Sequence, residues 1–509
     1  MKLKAMYKTP AGTAFAWTLA VGFLTHLFAL INVIHNYDSI HYMPYGQGSG
    51  IYSGRFTLSV LGGLAEKLGG NTNLPLFNGL VFLVLIALSA YLLVSVLSIR
   101  SRGFAALVGM LLVVFPTAAS TMIHRFTAIY YGLAVLLAVT AVWVLGKTKF
   151  GLPISALCTA VSLGIYQALV PVTISIMVLL LIQQALRGDS DFLAIVKRGL
   201  YFCAALVLGL LLYFLLLKLC LALYHTELTD YQGINEMGSI SLAALPGLVW
   251  GALVQVVKML RWDYCGLTAT AFLKLAYLVL GAATLGMMGY ILAKKIKKPL
   301  MILLTAVLAL LFLIAVNFIY IQCPASKIYT LMAYSFALLA CAPIVVYECL
   351  PEAGKGKRQL LSRGIGLALS VMIFSYAYLA NTNYTAIYYA DRQVENYLNA
   401  MIAQVRMTEG FDTEKQWAFI GPISDPLMKF SWENEMTYGG FTGPEDMLNC
   451  HSTFSWMNHY MGYYPPLADE AKLAELAALE EVRAMPTWPN AGSIKAIGDT
   501  MVIKCGSAE

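Results

Sequence analysis

What most constrains this chain is the recurrence of apolar runs about as long as a lipid bilayer core is thick. A hydrocarbon core of about 30 Å takes roughly 20 apolar residues in helical form, and inside lipid a segment must satisfy its own backbone hydrogen bonds. Spans are predicted at 11–34, 75–97, 104–122, 126–145, 151–166, 168–186, 200–224, 268–292, 300–320, 329–348 and 365–382. Because such runs recur, the first is read as a span and not as a cleaved signal. Charged residues make up only 12% of the chain, about half the share usual in soluble domains, which excludes a soluble globular protein. The expected fold is an α-helical polytopic membrane protein of about eleven transmembrane helices.

Lys and Arg in short loops set orientation. With the N-terminus inside, the inner segments carry 18 of them, including the run Lys294, Lys295, Lys297 and Lys298, and the outer loops carry 6. The loop after the first span therefore faces outward. The apolar stretch 241–257 is interrupted by Pro246, and counting it as a span would turn the Lys294 to Lys298 run outward. It is read as an interfacial or re-entrant helix, which at membrane depth must be covered by protein or a wet cavity.

After Tyr384 the hydropathy drops. From Asp391 to Glu509 there are 17 acidic and 8 basic residues, a net of −9 against +7 for the whole chain. Domains are placed at 1–383, a membrane core with outer loops 35–74 and 225–267, and at 384–509, a small acidic α/β or α+β domain outside the cytoplasm. In the latter the pattern gives a helix (384–407), a strand (QWAFIGPI), a Trp- and Tyr-rich connection, a helix (469–483) and a hairpin (492–504). Nine cysteines show no metal-ligand spacing. Five are apolar fillers of the helices, while Cys450 and Cys505 share the outer domain, where a disulfide is permitted. Nucleotide-phosphate loops, dinucleotide fingerprints and HExxH are missing from the sequence, and neither a nucleic-acid partner nor a protein-bound metal is expected.

Ionisable groups near a membrane are expensive, so they are functional candidates. Asp38 and Arg55 lie in the first outer loop, His124 and Arg125 follow the third span, and Tyr166 and Gln167 occupy a tight outer turn. Asp230, Tyr231 and Gln232 lie in the next outer loop, and Lys327 opens the tenth span. Taken singly, each has a plainer explanation: a helix cap for Asp38, snorkelling for Arg125 and Lys327, an interfacial belt for the tyrosines. Their gathering on one face suits the transfer of a sugar from a lipid phosphate. Such a reaction needs a base for the acceptor hydroxyl and cations for the departing phosphate. Asp38 is assigned as base, Arg55, Arg125 and Lys327 as phosphate ligands, and His41, His124, Tyr166, Gln167, Asp230, Tyr231 and Gln232 as substrate contacts. Single displacement would invert the anomeric carbon.

The motifs NYDS (36–39), YSGRF (52–56), SLGIYQALVP (162–171), YQGI (231–234) and MPTWPNAGSIKAIGDTMVIK (485–504) follow one another as in a known group of enzymes. In this order of features the chain resembles the bacterial serotype-converting glucosyltransferases of the Gtr type II family. The resemblance implies a GT-C helical core, a polyprenyl-phosphate-glucose donor entering from the outer leaflet, a catalytic Asp at position 38 and a site residue at Arg55. It also implies a multi-pass protein of the bacterial cytoplasmic membrane and a surface glycan such as O-antigen as acceptor. Such enzymes often pair acidic residues in this loop, whereas Asn36, Tyr37 and Ser39 flank Asp38. One carboxylate with His35 or His41 makes a thin set for a divalent cation, so metal-independent transfer is expected, with the cation left open as cofactor. The alternatives are a lipid-linked sugar transporter or flippase, which would carry its ionisable groups through mid-membrane, and a polysaccharide polymerase, which would consume a pyrophosphate-linked donor.

Overall fold

The computed structural model describes residues 8–42, 46, 48, 50–70, 73–229, 241, 243–324, 327–351, 355–423, 438 and 450–506; of residues 37, 41, 42, 355 and 450–452 it describes the backbone. The chain divides into two compact units: Met1–Ile31 with Gly46–Asn381 and Thr437–Gly439, and Asn32–Tyr45 with Thr382–Met436 and Gly440–Glu509. Residues 32–45, expected in the membrane core, thus belong to the second unit.

The helices are α1 (Pro10–Ile31), α2 (Tyr37–Tyr42), α3 (Phe56–Lys67), α4 (Pro75–Val96), α5 (Arg102–Val114), α6 (Pro116–Ile123), α7 (Arg125–Leu145) and α8 (Gly151–Ile165). They continue with α9 (Val170–Arg187), α10 (Phe192–Leu223), α11 (Leu245–Lys258), α12 (Ala271–Ile291), α13 (Pro299–Val316), α14 (Phe318–Gln322), α15 (Phe336–Tyr347) and α16 (Lys355–Met407). Four of them open on Pro at the first position, where the missing N–H would have had no partner. Others are capped by side chains: Asp191 Oδ1 accepts from Ala194 N at 2.8 Å and Ser101 Oγ from Phe104 N at 3.3 Å.

Among the described residues, nine helices are long and apolar enough to cross a membrane. The chain is a helical polytopic membrane protein. Two of the eleven expected spans, at α8 and α15, have helices of 15 and 12 residues, short of a full crossing. The expected third span bends where Phe115 meets Pro116 and is built from α5 and α6. The expected last span and the first helix of the tail are one continuous 53-residue α16.

In the first unit α4 packs against α1 and α7, α1 against α5, α7 against α8, and α8 against α10. Phe82, Phe115, Phe336, Leu30 and Leu58 are buried in this core. Only 17% of the α10 span is buried, and its exposed side chains include Leu208, Leu211, Phe214, Leu215, Leu219 and Leu223. Exposed apolar surface on that scale fits a lipid surround and not water.

The second unit holds a three-stranded sheet of β1 (Gln416–Ile420), β2 (Ile494–Ile497) and β3 (Thr500–Lys504) in the order β1-β3-β2. β1 runs parallel to β3 and β2 antiparallel to it. The expected connection contains a helix, α17 (Cys450–His459), and the expected 469–483 helix breaks at Leu479 into α18 (Glu470–Ala478) and α19 (Glu480–Ala484). Ala418, Ile420 and Val502 of the sheet bury Leu476, Val482 and Met485. Cys505 is a free, buried thiol, and the side chain of Cys450 lies outside the described residues.

Candidate functional site

In the first unit the YSGRF segment forms a short 3-10 turn, Ile51–Ser53, closed by Gly54 at φ +74°. Tyr213 Oη donates to Gly54 O at 3.1 Å, and Gln167 Nε2 donates to Ser53 O at 2.8 Å and to Tyr213 Oη at 3.3 Å. A Cβ on Gly54 would stand 2.6 Å from Gln167 Nε2 and 2.7 Å from Tyr213 Oη, so both the φ and the close approach require glycine. The other motif glycine, Gly164, lets α8 approach the start of α3: a Cβ there would meet Thr57 Oγ1 at 2.3 Å and Phe56 Cζ at 2.8 Å. Two motifs more than a hundred residues apart are thereby locked together.

The product of that locking is the position of Arg55. Its guanidinium lies over the Tyr166 ring, 5.1 Å from the centroid, and Nη1 is 3.5 Å from Tyr131 Oη, the outer limit of hydrogen bonding. Tyr131 and Tyr166 stack with centroids 4.5 Å apart and planes 9° apart. A ring face holds a cation by its quadrupole for about 0.5–2 kcal/mol, and a guanidinium is the cation whose planar fork matches a phosphate or carboxylate. The same tyrosines line a narrow cavity with Phe82, Thr117, Thr121 and Tyr334, whose free space of about 10 Å³ admits a water and not a sugar ring.

Arg125 and His124 are held differently. Ala29 belongs to the last turn of α1, where carbonyls lack helical partners, and Arg125 Nη1 donates to its oxygen. A cation there also meets the negative end of the α1 dipole. Arg125 is fully buried at 0% exposure, and its own carbonyl accepts from Asn78 Nδ2 at 3.3 Å. His124 Nδ1 contacts Ser120 O at 2.8 Å in the last turn of α6. Lys327 is exposed, with Nζ 5.7 Å from the Tyr329 ring.

Asp38 lies in the second unit, exposed in the first turn of α2. The cap of that helix is Asn36, not Asp38: Asn36 Oδ1 accepts from Ser39 N, and Ser39 Oγ accepts from Asn36 N, both at 2.8 Å, a reciprocal capping box. The His41 side chain, Asp230, Tyr231 and Gln232 lie outside the described residues; Thr229, just before Asp230, donates its N–H to Tyr52 O at 3.0 Å. Among the described residues no three His, Cys, Asp or Glu side chains gather as a metal site.

The structure therefore brings together Arg55, Tyr166 and Gln167, which the sequence reading named, with Tyr131 and Tyr213, which it missed. In the sequence both missed tyrosines are ordinary aromatic residues within apolar spans. A second omission lies in the other unit. His35 Nδ1 and His35 N both lie 3.0 Å from Asp391 Oδ2, and both residues are buried.

No curated protein sequence and no solved structure matches the chain. The family model of the glucosyl transferase GtrII matches residues 27–340, more than half of the chain. That match spans the Arg55 turn, the tyrosine stack and both locking motifs, and the chain belongs to the GtrII glucosyl transferase family.

Proposed function

We propose that this glucosyltransferase moves glucose from a polyprenyl-phosphate donor to a hydroxyl of a surface glycan, on the outer face of the bacterial cytoplasmic membrane, with inversion. The observation that supports this most is Arg55, a cation held over stacked tyrosines by a turn that two motifs inside the family match fix. Arg55 is the principal ligand of the donor phosphate. Lys327 adds long-range attraction, and Arg125 acts by fixing the end of α1, with His124 beside it. Tyr166 and Gln167 position Arg55; His41, Asp230, Tyr231 and Gln232 complete the substrate contacts. Asp38 takes the proton of the acceptor hydroxyl as its oxygen bonds to C1. The C1–O bond to phosphate breaks, its electron pair stays on the phosphate, and polyprenyl phosphate leaves.

The test is incubation of purified protein with polyprenyl-phosphate-glucose and the surface glycan fraction of the source organism. Release of polyprenyl phosphate with glucose gained by the glycan is the expected result. Turnover only of a pyrophosphate-linked oligosaccharide would show a polymerase, and movement of intact donor across a vesicle membrane a transporter.

The proposed outward location of the second unit needs a reporter other than Cys505, because burial pushes that thiol up to about 12. Being raised from 9.0, its contribution to stability is whole below pH 9 and is lost as the pH climbs toward 12. Ala474, exposed on α18, is the better site. An Ala474→Cys variant labelled by an impermeant thiol reagent in intact cells supports the outward placement, and labelling only after lysis refutes it.

A further inference from the structure

In the first unit α11 carries apolar side chains on both of its faces. Ala252, Val256 and Met259 are buried on the inner one. There Asn317 Nδ2 donates to Ala252 O at 3.0 Å, and a Cβ on Gly251 would stand 2.7 Å from the Tyr320 ring. The opposite face presents Trp250 and Val257, which are 68% and 65% exposed. Arg261 N and Trp262 N both donate to Lys258 O at 2.9 Å, so the helical turn runs on past Lys258. Lys258, Arg261 and Trp262 therefore stand side by side at its exposed end.

Three cations, Lys258, Arg261 and Lys274, meet at this end. The Arg261 guanidinium lies over the Trp262 ring, 4.4 Å from the centroid. Lys274, in the first turn of α12, donates from Nζ to Arg261 O at 2.9 Å. Leu260, Trp262, Phe272 and Leu275 are exposed around them. The carboxylate next in sequence, Asp263, serves its own loop by accepting from Gly266 N at 3.0 Å and Thr268 N at 2.8 Å. Among the described residues none of the three cations makes an ion pair.

Like charges gathered without a counter-charge repel one another. In the topology proposed above they lie in or beside an outer loop, where orientation calls for no cations. Exposed indole and phenyl rings beside Lys and Arg suit the headgroup layer of a bilayer, and an anionic headgroup supplies the missing charge. We infer that Lys258, Arg261 and Lys274, with Trp250 and Trp262, form a docking surface for anionic phospholipid headgroups that seats α11 in the membrane interface. The surface shares no residue with the Arg55 turn and needs nothing from the transferase reaction.

The test uses the purified full-length protein in vesicles of phosphatidylcholine with a minor share of phosphatidylglycerol. In one set the phosphatidylglycerol carries brominated acyl chains, which quench tryptophan. In the other an equal amount of the phosphatidylcholine carries them. The quenching owed to Trp262 is the difference between wild type and Trp262→Phe, which keeps an aromatic face for Arg261. Stronger quenching of Trp262 by the phosphatidylglycerol is the expected result. Lys258→Gln, Arg261→Gln and Lys274→Gln alter solvent-facing groups and spare the fold. Each is expected to lower the preference about 2- to 5-fold, the scale of one surface cation at an anionic membrane, and the three together to abolish it. Equal quenching by the two lipids, quenching by neither, or a preference that survives in the triple variant overturns the surface. Loss of the preference on adding a trace of polyprenyl phosphate, too little to change the membrane charge, overturns the phospholipid as occupant in favour of the prenyl carrier.

Discussion

Arg55 and Arg125 look alike in sequence, each a cation beside an apolar stretch, yet the regions that hold them have opposite designs. Arg125 is sealed in the bundle and donates to Ala29 O at the end of α1. Arg55 is only partly buried and rests on a pair of stacked tyrosines. A helix-end carbonyl binds a guanidinium in-plane and uses the edge that a phosphate would use. A ring face binds it from above, through the ring quadrupole and not through the edge. The lesson is that a cation near a membrane is read by which side of it the protein occupies, not by its presence.

The comparison breaks most severely if Arg125 is dispensable to the fold. Replacing it by Met removes the partner of a buried carbonyl and the cation at the α1 terminus, at a cost of about 2–4 kcal/mol. Loss of folded yield and a lower unfolding temperature in detergent are expected before any kinetic effect can be read. A stably folded Arg125→Met protein with a raised donor KM would make it a phosphate ligand after all.

Arg55→Ala is expected to do the reverse, leaving unfolding unchanged. A hydrogen bond to a charged group is worth about 1.5–3 kcal/mol, so kcat/KM for the donor should fall roughly 10- to 150-fold. Arg55→Lys should recover only part of it, because an ammonium lacks the planar fork. Normal donor kinetics in Arg55→Ala would place the phosphate elsewhere.

Gly54→Ala sharpens the comparison by leaving the cation and disturbing its seat. The positive φ costs an alanine about 1 kcal/mol, and the new Cβ displaces Gln167 Nε2 and Tyr213 Oη. A loss of roughly 5- to 10-fold in donor kcat/KM is expected, matched by Gln167→Leu, which removes the donor to Ser53 O. Unaltered kinetics in both would mean that the turn does not position Arg55.

The spans were legible because hydrophobicity over some twenty residues survives almost any detail of packing. Their ends were not. The segment around Asn381 is polar and marks a drop in hydropathy, yet Asn381 Nδ2 donates back to Ala377 O at 2.9 Å and α16 runs on through it. Gln167 and Tyr166 were legible as a polar turn in an apolar region, whereas Tyr131 and Tyr213 sit within spans where aromatics are common. The His35 and Asp391 pair is separated by 356 residues, and no local pattern can join such positions. Asp38 was visible as a carboxylate, but the capping role next to it belongs to Asn36, whose reciprocal bond with Ser39 depends on a six-residue helix too short to announce itself by periodicity.

The smallest effect is expected at Lys327, which stands between the two arginine designs. Its ammonium lies 5.7 Å from the Tyr329 ring, near the limit for a cation over an aromatic face, and the side chain is exposed. At such a site the aromatic contact is worth about 0.5 kcal/mol, and salt screens an exposed charge over about 8–10 Å. Lys327→Ala should therefore change donor KM by no more than about threefold at 0.15 M salt, with a larger effect at low salt if the charge draws the anionic donor toward the site. Titration of donor KM against ionic strength in wild type and variant separates the two roles. If the charge acts at long range, the two curves converge as salt rises. If the difference between them is large and independent of salt, Lys327 grips the phosphate directly and shares the task assigned to Arg55.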